Sequence, residues 1–300
     1  MRPTLDVIIP CYNSAATLQA AVESAVSQPA VENVWLIDDA SIDDTRLIMS
    51  DLAAIHPKVR CEYMLENGGA AKARNWGAMQ SQADFIAFLD ADDVYENNVL
   101  NAAYLGLEAY SYLSLVRLKL RPVGFPEHYL NHPQFPTAWE RLQMTVGGNT
   151  VFRRSIFLAC GGFPQDELFR IFGGEDAALG IALTRDSVVG YLFEERDPAV
   201  RHNYRPGIHA ERLLDAELFG KTVPGLTIDH QNEAEAVTRR ISRRLQEVQS
   251  TLDLRRSRHH AALSRVRISG HKRKALPNGC ITLLEAKRSS EILFSDDLYS

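Results

Sequence analysis

The stretch Phe85-Ile86-Ala87-Phe88-Leu89-Asp90-Ala91-Asp92-Asp93 combines a buried strand with a run of acids. Five consecutive apolar residues are typical of a strand that is covered on both faces of a parallel sheet. Ligands of such sheets bind at the carboxyl ends of the strands. The sequence therefore predicts that Asp90, Asp92 and Asp93 lie at a ligand-facing edge of a sheet.

The residues before this stretch repeat the same pattern of strand and helix. Each apolar run predicts a strand, and apolar residues at helical spacing follow each of the first three runs. The predicted strands are 5–9, 34–37, 59–65 and 85–89. The first predicted helix begins at the caps Asn13 and Ser14, and the next two span residues 44–55 and 70–82. Strands that alternate with long helices need crossover connections, so the sheet is expected to be parallel with helices on both faces.

Three polar clusters follow the first, second and fourth predicted strands, at residues 10–13, 38–41 and 90–93. Because the strands are parallel, these clusters are expected to meet at one edge. The first turn contains no glycine, which excludes the dinucleotide fingerprint GxGxxG. The sequence also lacks the motifs GxxxxGK[ST], HExxH and GxSxG, which excludes a P-loop NTPase and the commonest zinc-protease and serine-hydrolase sites.

Composition indicates a globular protein of one large domain or two small ones, with 300 residues, 45% hydrophobic and 24% charged. Four widely spaced cysteines without a CxxC pair argue against a disulfide scaffold or a cysteine-zinc site. No signal-peptide pattern opens the sequence, and no stretch is long and uncharged enough to span a bilayer. The expected location is cytoplasmic, either free or peripheral to the membrane.

Asp90 and Asp92 form a DxD pattern on the turn that leaves the fourth predicted strand. Hard carboxylate oxygens at this spacing suit Mg²⁺ or Mn²⁺, which commonly share their ligands with substrate phosphates. The alternative is a simple turn and cap for the next helix, since aspartate is common there. The pattern by itself leaves both interpretations open.

Eight short motifs occur in order along the chain. They are Asp6-Val7-Ile8-Ile9-Pro10-Cys11-Tyr12-Asn13, Ile37-Asp38-Asp39-Ala40-Ser41-Ile42-Asp43-Asp44-Thr45, Glu66-Asn67-Gly68-Gly69, Ala73-Arg74-Asn75-Trp76-Gly77, Phe88-Leu89-Asp90-Ala91-Asp92-Asp93, Gly148-Asn149-Thr150-Val151-Phe152-Arg153-Arg154, Cys160-Gly161-Gly162-Phe163 and Gly173-Gly174-Glu175-Asp176. Together they resemble the inverting family 2 glycosyltransferases of GT-A fold, over roughly residues 4–205.

The resemblance implies an α/β fold of GT-A type, with a mostly parallel central sheet flanked by helices and a C-terminal helical extension. We expect a GT-A domain at residues 1–220, divided into a nucleotide-binding half at 1–93 and an acceptor and catalytic half at 94–220. Residues 221–300 are expected to form the basic, helical extension.

The resemblance also implies which residues bind the nucleotide. Asp39 would accept a hydrogen bond from the base, as expected for the ring N–H of uracil, and Arg74 would lie near the phosphates. The nine nucleotide-binding residues are Pro10, Tyr12, Asn13, Asp39, Asn67, Gly69, Arg74, Asp90 and Ala91.

For the metal, the resemblance implies Asp92 as a direct ligand and a histidine further along the chain. His202 is the first choice and His209 the second, although a single histidine in a polar loop is more commonly a surface residue. For catalysis it implies Asp176 as the base and Glu175 as the neighbour that helps to hold the acceptor. The alternative for this pair is an ordinary acidic first turn of a helix.

The implied activity is that of a metal-dependent inverting hexosyltransferase, using Mn²⁺ or Mg²⁺. It would move a sugar from a nucleotide-sugar, expected to be a UDP-sugar, to a hydroxyl of a glycan, a lipid-linked molecule or a small molecule. One rival is a sugar nucleotidyltransferase, but it would need a glycine-rich basic loop where Pro10-Cys11-Tyr12-Asn13 stands. The other rival is an inactive GT-A-fold protein with a binding or scaffold role. Trp139 could stack on a sugar or pack in the core.

Charge is distributed unevenly along the chain. Residues 231–275 contain 12 Lys and Arg against 4 Asp and Glu, whereas residues 1–230 carry a net charge of −11. Apolar residues at helical spacing predict one helix from 232 to about 266, which could pack on the acidic body, pair with a second subunit or lie on anionic lipid. No aromatic residues are interleaved with its arginines, so nucleic acid is not an expected partner. Its apolar stripe is Val237, Ile241, Leu245, Val248 and Leu252, and its arginines are Arg239, Arg240, Arg243, Arg244, Arg255, Arg256, Arg258 and Arg265.

Overall fold

Strands and helices alternate through the first ninety residues of the computed structural model, which describes residues 2–248 and 265–267. The strands are β1 (Leu5–Cys11), β2 (Asn33–Asp38), β3 (Val59–Tyr63), β4 (Phe85–Phe88), β5 (Val94–Tyr95), β6 (Leu113–Val123), β7 (Thr150–Arg153), β8 (Val188–Leu192), β9 (Ala199–Asn203) and β10 (Arg265–Arg267). The helices are α1 (Leu18–Val26), α2 (Thr45–Ile55), α3 (Ala70–Gln80), α4 (Val99–Ala109), α5 (Glu127–Leu130), α6 (Phe135–Gln143), α7 (Arg154–Cys160), α8 (Glu167–Phe172), α9 (Glu175–Asp186), α10 (His209–Phe219) and α11 (Ile228–Val248).

The main sheet has the strand order β10-β8-β6-β7-β4-β1-β2-β3, and β5 and β9 pair with each other beside β6. Strands β3, β2, β1 and β4 are parallel, as are β6, β8 and β10. Strand β7 is antiparallel to both of its neighbours, β4 and β6. The prediction of a mostly parallel sheet flanked by helices is therefore confirmed.

Helices cover both faces of this sheet. Within β1, Val7 and Ile9 belong to one hydrophobic cluster and Ile8 belongs to the other, and all three are fully buried. Successive side chains of a strand point to opposite faces, so a strand buried on both faces needs an uninterrupted apolar run. This explains why the apolar runs in the sequence located the strands.

The predicted start of the first helix at Asn13 and Ser14 is wrong, because α1 begins at Leu18. Asn13 has a φ of 49° and connects two loops instead of capping a helix. Its Oδ1 accepts a hydrogen bond from the backbone N–H of Ile42 at 2.9 Å, and its own N–H donates to Ser41 Oγ at 3.0 Å. The polar clusters after β1 and β2 are thereby joined.

The prolines of residues 121–136 predict an irregular loop from the sequence, and this prediction is also wrong in part. Strand β6 continues to Val123, because it gains β9 as a parallel neighbour along Lys119–Val123, and α5 and α6 follow. Trp139 on α6 is buried and donates its Nε1–H to the carbonyl of Leu120 at 2.9 Å, so it packs in the core.

Helix α11 packs on α9 and α7 of the body through Val237, Ile241 and Leu245. The prediction of helix as far as residue 266 is wrong at its end, since residues 265–267 form β10, parallel to β8. Leu252 and the arginines at 255, 256 and 258 lie outside the described residues. Among the helices that the structure describes, none has both the length and the apolar content needed to cross a membrane.

Candidate active site

A cavity of about 560 Å³ lies at the carboxyl ends of β1, β2 and β4. All nine residues for which a nucleotide-binding role is predicted line this cavity, together with Asp92 and Arg205. The three polar clusters meet here because parallel strands present their carboxyl ends at one edge. The structure thus brings the nine residues together, and their individual roles stay predictions.

Asp39 connects the end of β2 to the start of α3. Its Oδ1 accepts a hydrogen bond from the N–H of Gly68 at 2.7 Å, and its Oδ2 accepts one from the N–H of Gly69 at 2.8 Å. Burial raises the pKa of Asp39, and these two hydrogen bonds oppose that shift. Gly69 has a φ of 84°, a conformation that favours glycine. The carboxylate is therefore held in one orientation beside the cavity.

Arg74 links the cavity to the acidic pair of α9. Its Nη2 donates to Asp90 Oδ1 at 2.6 Å, its Nη1 lies 3.5 Å from Glu175 Oε1, and its guanidinium stands 5.4 Å from the centre of the Phe163 ring. Burial by itself would raise the pKa of Asp90, but the charge of Arg74 and its hydrogen bond hold that pKa below the usual range. Arg74 is itself buried, so its position is fixed.

The acidic pair Glu175 and Asp176 opens α9. Burial, followed by the charge of Asp176, raises the pKa of Glu175 to about 7, while Arg74 opposes the shift. Asp176 Oδ2 accepts a hydrogen bond from the N–H of Gly147 at 3.0 Å, and its Oδ1 accepts one from the N–H of Ala177 at 2.8 Å. The chain approaches this pair through Gly173 and Gly174, with φ values of 75° and 97° that favour glycine.

The two residues that precede β5 are held by the end of β9. Asp93 Oδ2 lies 2.7 Å from His202 Nδ1, and its Oδ1 accepts a hydrogen bond from the N–H of Asn203 at 3.0 Å. The Asn203 side chain donates to the carbonyl of Asp92 at 2.6 Å. Burial raises the pKa of Asp93 to about 6, and His202 opposes that shift. Asp92 Oδ2 forms an ion pair with Arg205 Nε at 2.5 Å.

A metal ion would have few protein ligands here, because the described residues contain no cluster of three or more His, Cys, Asp or Glu arranged to hold one. The chemistry of Asp92 and His202 nevertheless fits a cation that takes the rest of its ligands from phosphates and water. Asp93 binds His202 Nδ1, the usual arrangement behind a metal-binding histidine, and His202 Nε2 is buried without a hydrogen-bond partner among the described residues.

His209, the second choice for a ligand, lies elsewhere in the site. His209 packs closely on Gly173, because any side chain at position 173 would place its Cβ only 3.0 Å from His209 Nδ1. Burial lowers the pKa of His209, and the charge of Asp176 opposes the shift. His209 therefore belongs to the surroundings of Asp176.

Sequence reasoning missed two residues of the site. Arg205 lines the cavity and pairs with Asp92, which is 113 residues away in sequence. No local sequence pattern predicts that contact. Asn75 belongs to the motif Ala73-Arg74-Asn75-Trp76-Gly77, in which the resemblance implies a role for Arg74 but none for Asn75. It donates its Nδ2–H to the carbonyl of Phe163 at 2.8 Å and accepts the N–H of Phe163 on Oδ1 at 2.9 Å, which fixes α3 against the loop before α8.

Comparison with known proteins places this geometry in a family. A sequence model described as glycosyl transferase family 2 matches residues 6–161. Among curated relatives, the putative teichuronic acid biosynthesis glycosyltransferase TuaG of Bacillus subtilis (strain 168) is 36% identical over 101 residues, which are 33% of this chain and 40% of TuaG. The minor teichoic acid biosynthesis protein GgaA of the same organism is 36% identical over 105 residues, 33% of this chain and 24% of GgaA. The match thus spans two fifths or less of either relative.

Solved structures share the fold at low sequence identity. S. aureus TarS 1–349, in complex with UDP, has a TM-score of 0.52 and 17% identity, over 86% of this chain and 76% of that one. The mannosyltransferase PcManGT from Pyrobaculum calidifontis, in complex with GDP-Man and Mn²⁺, has a TM-score of 0.55 and 20% identity, over 83% and 76%. These likenesses confirm the predicted GT-A fold. Because the family model covers more than half of the chain, the protein belongs to glycosyl transferase family 2.

Proposed function

We propose that this protein transfers a sugar from a UDP-sugar to a hydroxyl group of an acceptor, with inversion and with the help of a divalent cation. The observation that carries the proposal is the direct contact between the nucleotide cavity and the acidic pair of α9. The cavity at the carboxyl ends of β1, β2 and β4 contains the nine residues assigned to the nucleotide, and Arg74 joins it directly to Glu175 of the acidic pair.

The structural neighbours support a nucleotide-sugar donor. TarS is solved with UDP, and the mannosyltransferase is solved with GDP-Man and Mn²⁺. For this chain the choice of UDP rests on Asp39, whose oriented carboxylate borders the cavity and can accept the ring N–H of uracil. The cation is proposed to be held by Asp92 and His202, and when bound it supplies charge stabilisation for the leaving diphosphate.

Asp176 is proposed as the base that takes the proton from the acceptor hydroxyl, a step worth roughly 10²–10⁴-fold in rate. Its carboxylate is oriented by the N–H groups of Gly147 and Ala177, so it needs little rearrangement before it accepts a proton. Glu175 is proposed to hold the acceptor. A base on one side of the anomeric carbon and a diphosphate leaving from the other give a single displacement, and therefore inversion.

The test is the thermal stability of the full chain with UDP, GDP, CDP and dTDP, each with and without Mn²⁺. A ligand at about 100 times its Kd adds roughly 2.7 kcal/mol, enough to raise the Tm by several degrees. We expect a Mn²⁺-dependent shift with UDP. Asp39→Asn should lose the shift relative to its own ligand-free Tm, whereas Asp51→Asn on the exposed face of α2 should keep it. If no nucleotide shifts the Tm, the donor assignment is wrong and a binding or scaffold role is favoured.

A further inference from the structure

Each of the three aspartates after β4 has its own basic partner. Two of these partners are arginines, so Asp90 and Asp92 each face a permanent positive charge. The pairs are Asp90 with Arg74 at 2.6 Å, Asp92 with Arg205 at 2.5 Å, and Asp93 with His202 at 2.7 Å.

Of these three partners, Arg205 can be released most easily. The Arg205 side chain is 65% exposed, whereas the side chains of Arg74 and His202 are 7% and 11% exposed. Breaking a buried pair leaves an uncompensated charge in the interior and is costly. An exposed pair contributes little and returns its cation to water when it breaks.

The backbone beside Arg205 is anchored on both sides. Asn203 binds the carbonyl of Asp92, and Glu211 accepts hydrogen bonds from the hydroxyl of Tyr204 at 2.7 Å and from the N–H of Gly207 at 2.5 Å. Arg205 is thus presented at the cavity by a fixed turn, and its long side chain is the part that is free to change partner.

We propose that Arg205 exchanges between two anions: it pairs with Asp92 when the cavity is empty, and it pairs with the donor diphosphate once Asp92 binds a divalent cation. This inference rests on the proposed function, because it needs a diphosphate in the cavity. Arg205 and the cation compete for one carboxylate, and the diphosphate ends the competition by giving Arg205 another partner. Nucleotide and cation consequently strengthen each other's binding, by the same factor in each direction.

Isothermal titration calorimetry of the full chain tests the exchange in two arms. The first arm titrates Mn²⁺ alone, and the second titrates UDP in the presence of Mn²⁺. Coupling of this kind is typically about 5–150-fold. Arg205→Ala should bind Mn²⁺ alone at least about fivefold more tightly than the wild type, because its competitor is gone. It should bind UDP at least about fivefold more weakly, because the diphosphate has lost a partner.

Arg201→Ala is the matched control, since Arg201 is an exposed arginine on β9, four residues before Arg205, and does not line the cavity. It removes the same charge and should leave both affinities unchanged. Equal Mn²⁺ affinity in the wild type and Arg205→Ala overturns the competition, and equal UDP affinity overturns the transfer to the diphosphate. A wild type that binds no UDP contradicts the proposed function, whatever the first arm gives.

Discussion

Asp176 is the single residue on which the proposed reaction depends most directly. Asp176→Asn keeps the size of the side chain and removes its ability to take a proton. We expect turnover to fall about 10²–10⁴-fold. The Mn²⁺-dependent thermal shift with UDP should stay, because Asp176 does not line the nucleotide cavity. Sugar transfer and thermal shift are measured on the same preparations.

The control for this variant is Asp186→Asn, which makes the same change at the far end of α9, where Asp186 accepts a hydrogen bond from Gln246 at 2.6 Å. It should transfer sugar at the wild-type rate. An Asp176→Asn protein with near wild-type turnover would show that another group is the base.

The raised pKa of Glu175 makes its contribution to the free energy of unfolding depend on pH, and the direction of the shift gives the sign of that dependence. Burial and the charges of Asp176 and Asp90 raise that pKa from 4.5 to about 7 against the effect of Arg74. The folded protein therefore binds this proton more tightly than the unfolded chain does. The contribution of Glu175 to the free energy of unfolding must therefore fall as pH rises from about 4.5 to about 7. Glu175→Gln cannot lose a proton, and it should remove this decline, gaining about 1–3 kcal/mol at pH 8 relative to the wild type.

Urea unfolding at pH 4.5, 6 and 8 measures the effect. Glu167→Gln, on the exposed side of α8, serves as the control and should run parallel to the wild type at all three values. If Glu175→Gln also ran parallel to it, the Glu175 carboxyl would be ionised at ordinary pH and the electrostatic description of the acidic pair would be wrong.

At the scale of elements, Asn75 holds α3 against the loop before α8. Its side chain pairs with both backbone groups of Phe163, in the way that one strand pairs with another. Asn75→Ala leaves a buried N–H and a buried C=O without partners, so the free energy of unfolding should fall by about 2 kcal/mol or more. Asn101→Ala, on the exposed side of α4, should change it by less than about 0.5 kcal/mol. Urea unfolding distinguishes the two, and equal values for both variants would contradict the bracing role of Asn75.

The same elements show what the sequence could predict. Strands β1, β2 and β4 were located to within two residues, because a strand buried on both faces must be apolar throughout. The start of α1 was misplaced because Asn13, a good cap by type, bonds to the next loop instead. The end of β6 could not be predicted, because its last residues depend on β9, about eighty residues away in sequence.

The candidate site likewise contains residues that the sequence could predict and one, Arg205, that it could not. Residues at the carboxyl ends of parallel strands must meet, so a prediction of strands was also a prediction of the cavity and its lining. Arg205 could not be found like this. It reaches Asp92 only because β9 pairs with β5 and β6, and that pairing is set by tertiary contacts that leave no local pattern.

At the scale of the whole molecule, net charge does not explain how α11 is attached to the body. Helix α11 contains four arginines and four Asp and Glu residues, so it carries no net charge, and Arg240 forms a paired contact with Asp166 at 2.7 and 3.1 Å. Exposed ion pairs contribute little stability. The attachment of α11 therefore depends mainly on Val237, Ile241 and Leu245, which lie among the residues of α7 and α9.

Leu245→Ala tests whether α11 is an integral part of the folded body. Leu245 is fully buried, and its truncation leaves a cavity, so the free energy of unfolding should fall by about 2–5 kcal/mol. The three tryptophans, Trp35, Trp76 and Trp139, all lie outside α11, and their fluorescence in urea reports on the body alone. A destabilisation seen through them means that body and helix unfold together. Leu47→Ala, 61% exposed on α2, should stay within about 0.5 kcal/mol of the wild type. Were Leu245→Ala equally neutral, the apolar stripe would be available to a second subunit or a lipid surface, and the role of the basic segment would lie there.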